Sequence, residues 1–245
     1  MLQIRRLLVL ILLLTCSVSQ ADDDPKSVEV SNLDPWEPMN RKLFAFNEFL
    51  DDLVLRPVAV GYRFVMPDFA ERGVSNFIDN IYQLNSVFNS LLQGELEGAA
   101  QSGSRFVVNS TLGLVGLFDV ATPMGIDYHR ADFGQTLAVW GFESGPYVMV
   151  PLLGPRTVRS GVGYLFDTYT SIPAYVDNRE AAWTFWTVEV VDYRASLLKT
   201  EDLITGDRYI FLRDAYIQSR ENFVRGGVVE DSFSDFEASG DWEEF

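Results

Sequence analysis

Apolar positions recur at helical intervals through most of the chain. Met39, Leu43, Phe46, Leu50 and Leu53 are separated by 4, 3, 4 and 3 residues, which places them on one face of a helix. Phe44 and Phe49 lie off that stripe, so this helix is apolar on more than one side. Asp34 reads as its N-cap, with Pro35 in the first position and Glu37 where a capping box wants it. Pro38 offers a second place for the regular helix to begin. Pro57 and Pro67 are each expected to end one helix and open the next, since proline lacks the amide hydrogen that a helix interior needs. Short helices that meet at prolines would bend the chain around something. Further on, Phe77, Ile81, Leu84, Phe88 and Leu91 predict a longer helix over residues 74–92, stopped by Gly94.

A second helix through Ala99 and Phe106 leads into FVVNSTLGLVGLF, residues 106–118, which carry no charge. As a helix this run would reach about 20 Å, too short to cross a bilayer. It reads either as a buried core helix or as a segment dipping into one leaflet. Gly113 and Gly116 permit close backbone approach. Residues 119–131 are turn-rich, and DFGQTLAVWG then predicts a short helix capped by Asp132 and stopped by Gly141. Residues 147–150 suggest a short strand, and Gly154-Pro155 the start of another helix. Residues 178–199 form a long helical pattern rich in Trp and Val, and a final amphipathic helix runs over 207–225 to Gly226-Gly227. No internal repeat is present. The terminal Phe245 resembles the end of an outer-membrane barrel strand, but the alternating ten-residue strands of a barrel are absent. The expected fold is mostly α, with little or no sheet.

Residues 1–21 do not belong to this pattern. Arg5 and Arg6 precede an unbroken apolar run from Leu7 to Leu14, too short for a span and suited to the core of an export signal. The signal can be cut in two ways. Leu13-Leu14-Thr15-Cys16 has the shape of a lipobox, which would leave Cys16 as a lipid-bearing N-terminus, although Thr15 stands where Gly, Ala or Ser is usual. Ser19-Gln20-Ala21 is a small-x-small site for ordinary signal peptidase, which would discard the cysteine. The chain thus divides into a signal (1–21), a polar tether (22–33), a helical domain (34–227) and an acidic tail (228–245) expected to be disordered.

Composition narrows the partners. The formal net charge is −16, and removing the signal removes two arginines and no acids. A chain this acidic is not built to bind a phosphate backbone or to be drawn to anionic lipid heads by charge. Cys16 is the only cysteine, so an intrachain disulfide and a cysteine metal site are both excluded. Yet 13% of residues are aromatic, including 18 Phe. That mixture suits a protein with a wet face and an oily face.

Catalytic chemistry finds little support. GFESG at 141–145 has its serine in the fourth place, not the third that a nucleophile elbow requires. His129 is the single histidine; it sits in a turn beside Arg130 without a strand-turn-helix setting and reads as a turn or interface residue. A metal site around His129 and Asp132 would be too sparse for zinc. Asp51 and Asp52 are adjacent on a helix and diverge. There is no glycine-rich phosphate loop. No enzyme activity, cofactor or metal is expected.

The segments DPWEPMNRKLFAFNEFLDDLVLRPVAVGYR, SNFIDNI, RFVVNSTLGLVGLFDVA, DFGQTLAVWG and GPYVMVPLLGPRTVR, in that order, resemble the MlaA/VacJ family of Gram-negative outer-membrane phospholipid-transport proteins. The resemblance covers about residues 34–225. It implies a ring-like helical domain lying in the inner, periplasm-facing leaflet of the outer membrane. It also implies a role in removing glycerophospholipids mislocalised to the outer leaflet. Lipid would pass through an amphipathic channel to a soluble MlaC-like periplasmic carrier, and on to an inner-membrane ABC transporter. Association with a trimeric porin is implied as well, and a lipobox cysteine is usual in the family. By matched motif, the membrane collar is the helix carrying Met39, Leu43, Phe44, Phe46, Phe49 and Leu50. The channel wall is drawn from Asn109, Gly113, Gly116 and Asp119, the turn after them, and the polar side of the 178–199 helix. A porin-organising scaffold that moves no lipid, and a soluble periplasmic lipid binder, remain the other readings.

Overall fold

The computed structural model describes residues 33–198, 201 and 206–226, so the signal, Cys16, both cleavage sites, nearly all of the tether and the acidic tail lie outside the described residues. The described chain is α1 (Glu37–Leu50), α2 (Arg56–Val65), α3 (Asp68–Gln93), α4 (Leu96–Thr111), α5 (Phe133–Val139), β1 (Tyr147–Val150), β2 (Gly154–Thr157), α6 (Val158–Thr170), α7 (Arg179–Leu197) and α8 (Arg208–Val224). A mostly helical fold with one small sheet is therefore present, as the apolar periodicity predicts.

Four local expectations are corrected. Asp34 does not cap α1; it is buried, and Trp36 takes the cap position without a side-chain bond. Pro57 does not break the chain, because one wide π-type turn (Asp51–Leu55) carries the helix through it, with the Arg56 amide reaching back to the Asp51 carbonyl. That turn moves the proline ring out of the hydrogen-bond ladder it would otherwise interrupt. Gly154-Pro155 forms β2, not a helix start; the helix begins at Val158, where Thr157 and Ser160 form a reciprocal capping box. Finally, the uncharged run 106–118 is not one helix: α4 ends at Thr111, and Leu114, Val115 and Gly116 all take left-handed backbone angles. Elsewhere the boundaries follow the residue types: Asp132, Asn178 and Asp207 cap α5, α7 and α8 by accepting backbone N–H groups.

The contacts between elements close into a circuit. α1 packs on β1, β2 on α6 and α8, α6 on α5, α5 on α3, α3 on α7, and α7 on α2, which the π turn joins back to α1. The strands form an antiparallel pair in the register Tyr147↔Thr157 to Val150↔Gly154. α5 and α6 cross backbone to backbone: a Cβ on Gly163 would stand 2.3 Å from the Gly134 nitrogen, so no larger residue fits that crossing. Long-range charge pairs close the circuit at two joints. Arg194 on α7 grips Asp51 in a fork at 2.6 and 2.7 Å, and Arg220 on α8 grips Asp132 at 2.5 and 2.7 Å.

A small apolar core lies at the α1–hairpin–α8 junction, built from Tyr147, Met149 and Tyr209 with Leu43, Phe44, Leu212, Tyr216 and Ile217 against it. Beyond that junction the usual distribution is inverted. Among the described residues, 18 polar or charged side chains are buried against 9 apolar ones, five of which are alanines. Large apolar side chains stand outside: Phe64 is 90% exposed, Val65 75%, Leu96 72% and Phe69 71%. In water such a surface would be a large liability. No helix among the described residues is long and apolar enough to cross a membrane.

Candidate lipid-passage site

The longest helix sets the interior. Along α3, Asn80, Gln83, Asn85, Ser86, Asn89 and Ser90 are all buried, while Phe88 and Leu91 point outward. The apolar stripe that predicts this helix is thus half-buried to exposed, and an uncharged polar stripe is buried in its place. Its hydrogen bonds tie the circuit together. Asn89 donates to Asp167 on α6 at 2.8 Å and accepts from Thr136 of α5 at 3.0 Å. The Ser86 hydroxyl accepts from the Ala131 amide at 3.3 Å, and Ser90 bonds the His129 ring at 3.1 Å. His129 is a packing residue, since a Cβ on Gly98 would lie 2.5 Å from its Nε2.

On its other flank α3 faces α7 through charged groups. Tyr82 donates to Glu189 at 2.9 Å. Ser75 and Tyr62 donate to Asp192 at 2.7 and 2.9 Å. Nearby, Arg105 is 4% exposed and forks onto Asp119 at 2.9 and 3.0 Å, and its guanidinium lies over the Tyr128 ring at 5.3 Å. Burial pushes the Asp79 carboxyl above its usual range, with Arg130 working against the rise. The same pair of effects acts on Glu189, where the Tyr82 bond also opposes the rise. Burial raises the Tyr128 phenol too. Yet Asp79, Tyr128 and Arg130 are exposed to water. Both facts hold for a group that meets water while protein surrounds it. That combination marks a wet recess beside α3.

The four residues named as channel wall come together around one turn. Asn109 is buried; its Oδ1 accepts the amides of Val120 and Ala121 at 2.8 and 2.9 Å, and its Nδ2 donates to Asp119 at 3.1 Å. Burial raises the Asp119 carboxyl, but bonds from Thr122, Asn109 and Arg105 outweigh it and hold the group low. Gly113 and Gly116 are buried against backbone and Asn80: a Cβ would lie 2.1 Å from the Phe118 carbonyl at the first and 2.7 Å from Asn80 at the second. The quartet therefore clamps the turn that follows α4, with the oily side chains Leu112, Leu114, Val115 and Phe118 displayed around it.

The collar set divides. Met39, Phe46 and Phe49 are exposed, whereas Leu43 and Phe44 pack on the apolar core and Leu50 is half-buried. The polar side of α7 does carry Glu189 and Asp192 toward α3. Sequence reasoning missed the α3 polar stripe; its Asn and Ser residues recur at helical spacing, a signal equal to the apolar one. It also missed Asp79 and Tyr82, while Tyr128 and Arg130 lie in the turn after Asp119 that it selected without naming them. Among the described residues no group of His, Cys, Asp and Glu is arranged to hold a metal ion.

Comparison with known proteins agrees with this architecture. Residues 32–223 match the family described as MlaA lipoprotein. The intermembrane phospholipid transport system lipoprotein MlaA of Escherichia coli is 33% identical over 229 residues, covering 89% of this chain and 87% of that protein. The protein of that name from Haemophilus influenzae is 31% identical, covering 86% of each. An uncharacterized protein of Rickettsia prowazekii is 36% identical over 197 residues, 78% of each chain. A solved structure described as "Structural basis for maintenance of bacterial outer membrane lipid asymmetry" superposes with a TM-score of 0.67 at 38% identity, covering 78% of this chain and 98% of that one. With the helical circuit, the inverted burial and nearly the whole domain in agreement, the chain belongs to the MlaA lipoprotein family.

Proposed function

We propose that this protein is the outer-membrane component of an intermembrane phospholipid transport system, and that it removes misplaced glycerophospholipids from the outer leaflet. The observation that carries this reading is the inverted burial. A closed circuit of helices presents large apolar side chains outward and uncharged and charged polar groups inward. That is the pattern required of a body seated in one leaflet with a wet interior. A lipid crossing unaided must drag its head through hydrocarbon, at a desolvation cost of several kcal/mol or more. A polar recess lets the head cross hydrated while the tails remain in lipid. No residue need act as acid, base or nucleophile.

In this reading the exposed apolar residues of α1, α2 and the start of α3, from Met39 to Phe69, seat the protein in the periplasm-facing leaflet. Transfer of one large apolar side chain from water to hydrocarbon is worth about 1.5–3 kcal/mol. A few such side chains rival an acyl chain at about 0.8 kcal/mol per buried CH₂, so the seat does not depend on Cys16 alone. The family resemblance and the transport system named for the relatives support two partners: a soluble MlaC-like carrier below and a trimeric porin beside it.

The test is made in cells. Deleting the gene should raise phospholipid in the outer leaflet, read by a head-group-labelling reagent that cannot cross the membrane, and should lower detergent resistance. Restoring the full chain should reverse both. If outer-leaflet phospholipid is unchanged while porin organisation is disturbed, the protein is a scaffold and the transport reading is refuted.

A further inference from the structure

The recess between α3 and α7 has an uneven charge inventory. Arg105 is neutralised by its fork onto Asp119. Asp192 is held by two hydroxyls, from Tyr62 and Ser75. Glu189 accepts one hydrogen bond, from Tyr82, which leaves its other oxygen uncommitted. Asp79 precedes Tyr82 by three positions on α3, so it shares that helix face. Arg130 enters from the irregular segment before α5. Its neighbours on either side are pinned against α3, His129 by Ser90 and Ala131 by Ser86. Arg130 itself is exposed and forms no ion pair within 4.0 Å among the described residues. Its charge is nevertheless felt by Asp79, Tyr82, Tyr128 and Glu189. Arg130 is thus a guanidinium without an ion pair, entering beside the face of α3 that carries Asp79 and, through Tyr82, meets Glu189 of α7.

Resting on the transport reading above, we propose that this recess is a headgroup-selecting site for zwitterionic aminophospholipids: Arg130 receives the phosphodiester, and Asp79 and Glu189 receive the ammonium. A guanidinium presents several N–H donors in a fork that matches phosphate oxygens. Two carboxylates in a partly desolvated setting attract an ammonium and repel a headgroup that offers only negative charge. A phosphatidylethanolamine head meets both poles. A phosphatidylglycerol head meets Arg130 but gains nothing from the carboxylates, and its charge adds to theirs. The pairing also explains how an acidic protein handles an anionic phosphate: a single cation is placed at one point, and the surrounding acids keep anionic heads from lodging there.

The experiment uses the full-length protein purified in neutral detergent, with dihexanoyl phosphatidylethanolamine and dihexanoyl phosphatidylglycerol as probes, titrated and read by microscale thermophoresis. The wild type should bind the ethanolamine lipid at least about fivefold more tightly, an energy well within what one charge-assisted contact supplies. Arg130→Gln should weaken both lipids about tenfold, and Arg130→Lys should recover most of that loss. Asp79→Asn combined with Glu189→Gln, which keeps an acceptor for Tyr82, should bring the two lipids to near-equal affinity. Equal affinities in the wild type, or an Arg130→Gln variant that binds both lipids unchanged, would overturn the proposal. Circular dichroism of each variant guards against misfolding, and the water-facing Arg130 is replaceable without loss of a bonded partner. If selectivity fails while deletion still raises outer-leaflet phospholipid, only the headgroup assignment is lost. If deletion leaves that lipid unchanged, the transport reading falls whatever the recess binds.

Discussion

Asn40 offers the sharpest test of how the circuit is held closed. It is fully buried, and its amide serves three partners. Nδ2 donates to Asp34 at 2.7 Å and to the Tyr147 carbonyl at 3.2 Å, while Oδ1 accepts the Met149 amide at 2.9 Å. Asp34 in turn accepts from Tyr209 at 2.5 Å and lies 3.5 Å from Arg213. One side chain thus joins α1, the hairpin and α8. Asn40→Ala leaves a backbone donor, a backbone acceptor and one carboxylate oxygen facing a space from which water is excluded. Each stranded group costs about 1–3 kcal/mol, and with partial rescue by Tyr209 and Arg213 the sum is about 3–5 kcal/mol. For a domain of this size that is a melting-point loss of about 6–20 °C. Asn47 is the control. It makes the same two kinds of backbone contact, to Val150 at 3.0 Å and Leu152 at 2.9 Å, but at the exposed hairpin turn, where water replaces it for about 1 kcal/mol or less. Thermal melts of both variants in mild detergent, followed by circular dichroism, compare them. A melt of Asn40→Ala within about 3 °C of wild type, or equal shifts for the two variants, would refute the claim that burial of the Asn40 network closes the ring.

Three further outcomes are expected. Gly116→Ala, at φ +94 with its Cβ 2.7 Å from Asn80, should reduce the amount of folded protein in the membrane before any transport defect per molecule appears, measured by immunoblot against outer-leaflet phospholipid. Arg220→Met strands the Asp132 carboxylate that it grips at 2.5 and 2.7 Å and should lower stability by about 3 kcal/mol, a loss that denaturant melts would read. Asp167 has its carboxyl pushed up to about 6 by burial, against the bonds from Phe133 and Asn89. The folded state therefore holds a proton that the unfolded chain releases near pH 3.9. Its stability contribution is full below that value and declines as pH rises through about 6, by at most about 3 kcal/mol. Asp167→Asn should flatten this part of the melting profile between pH 4 and 7, and an unchanged slope would assign it to other groups.

Much of the secondary structure is legible in the residues alone. The caps at Asp132, Asn178 and Asp207, the stops at Gly94 and Gly141, and the strand at 147–150 all depend on near-neighbour chemistry. The failures have local causes that periodicity does not carry. The Pro57 site is rescued by a widened turn. Gly154-Pro155 is drawn into a strand by its pairing with Val150 and Met149. The 106–118 run is broken by Asn109, whose amide captures the backbone of residues eleven and twelve places on and folds the chain back.

What the sequence cannot assign is direction. A helix with an apolar stripe and a polar stripe is equally consistent with oil inside and with oil outside, since periodicity records the contrast and not its sign. In α3 Phe88 and Leu91 of the apolar stripe are exposed, and Asn80, Asn85 and Asn89 are buried. Only the closure of the circuit decides that, because it gives the polar stripe partners on α5, α6 and the residues before α5. The same limit explains the candidate site. Asp79, Tyr82, Tyr128, Arg130 and Glu189 come from separate stretches and carry no shared motif; the packing of α3 against α7 pairs Tyr82 with Glu189, and the bonds from Ser86 and Ser90 bring the segment with Tyr128 and Arg130 to α3. The sequence by itself determined the family and most of the helices among the described residues. The tertiary structure decided which face meets lipid and which charges meet one another, since those depend on contacts between residues distant in the chain.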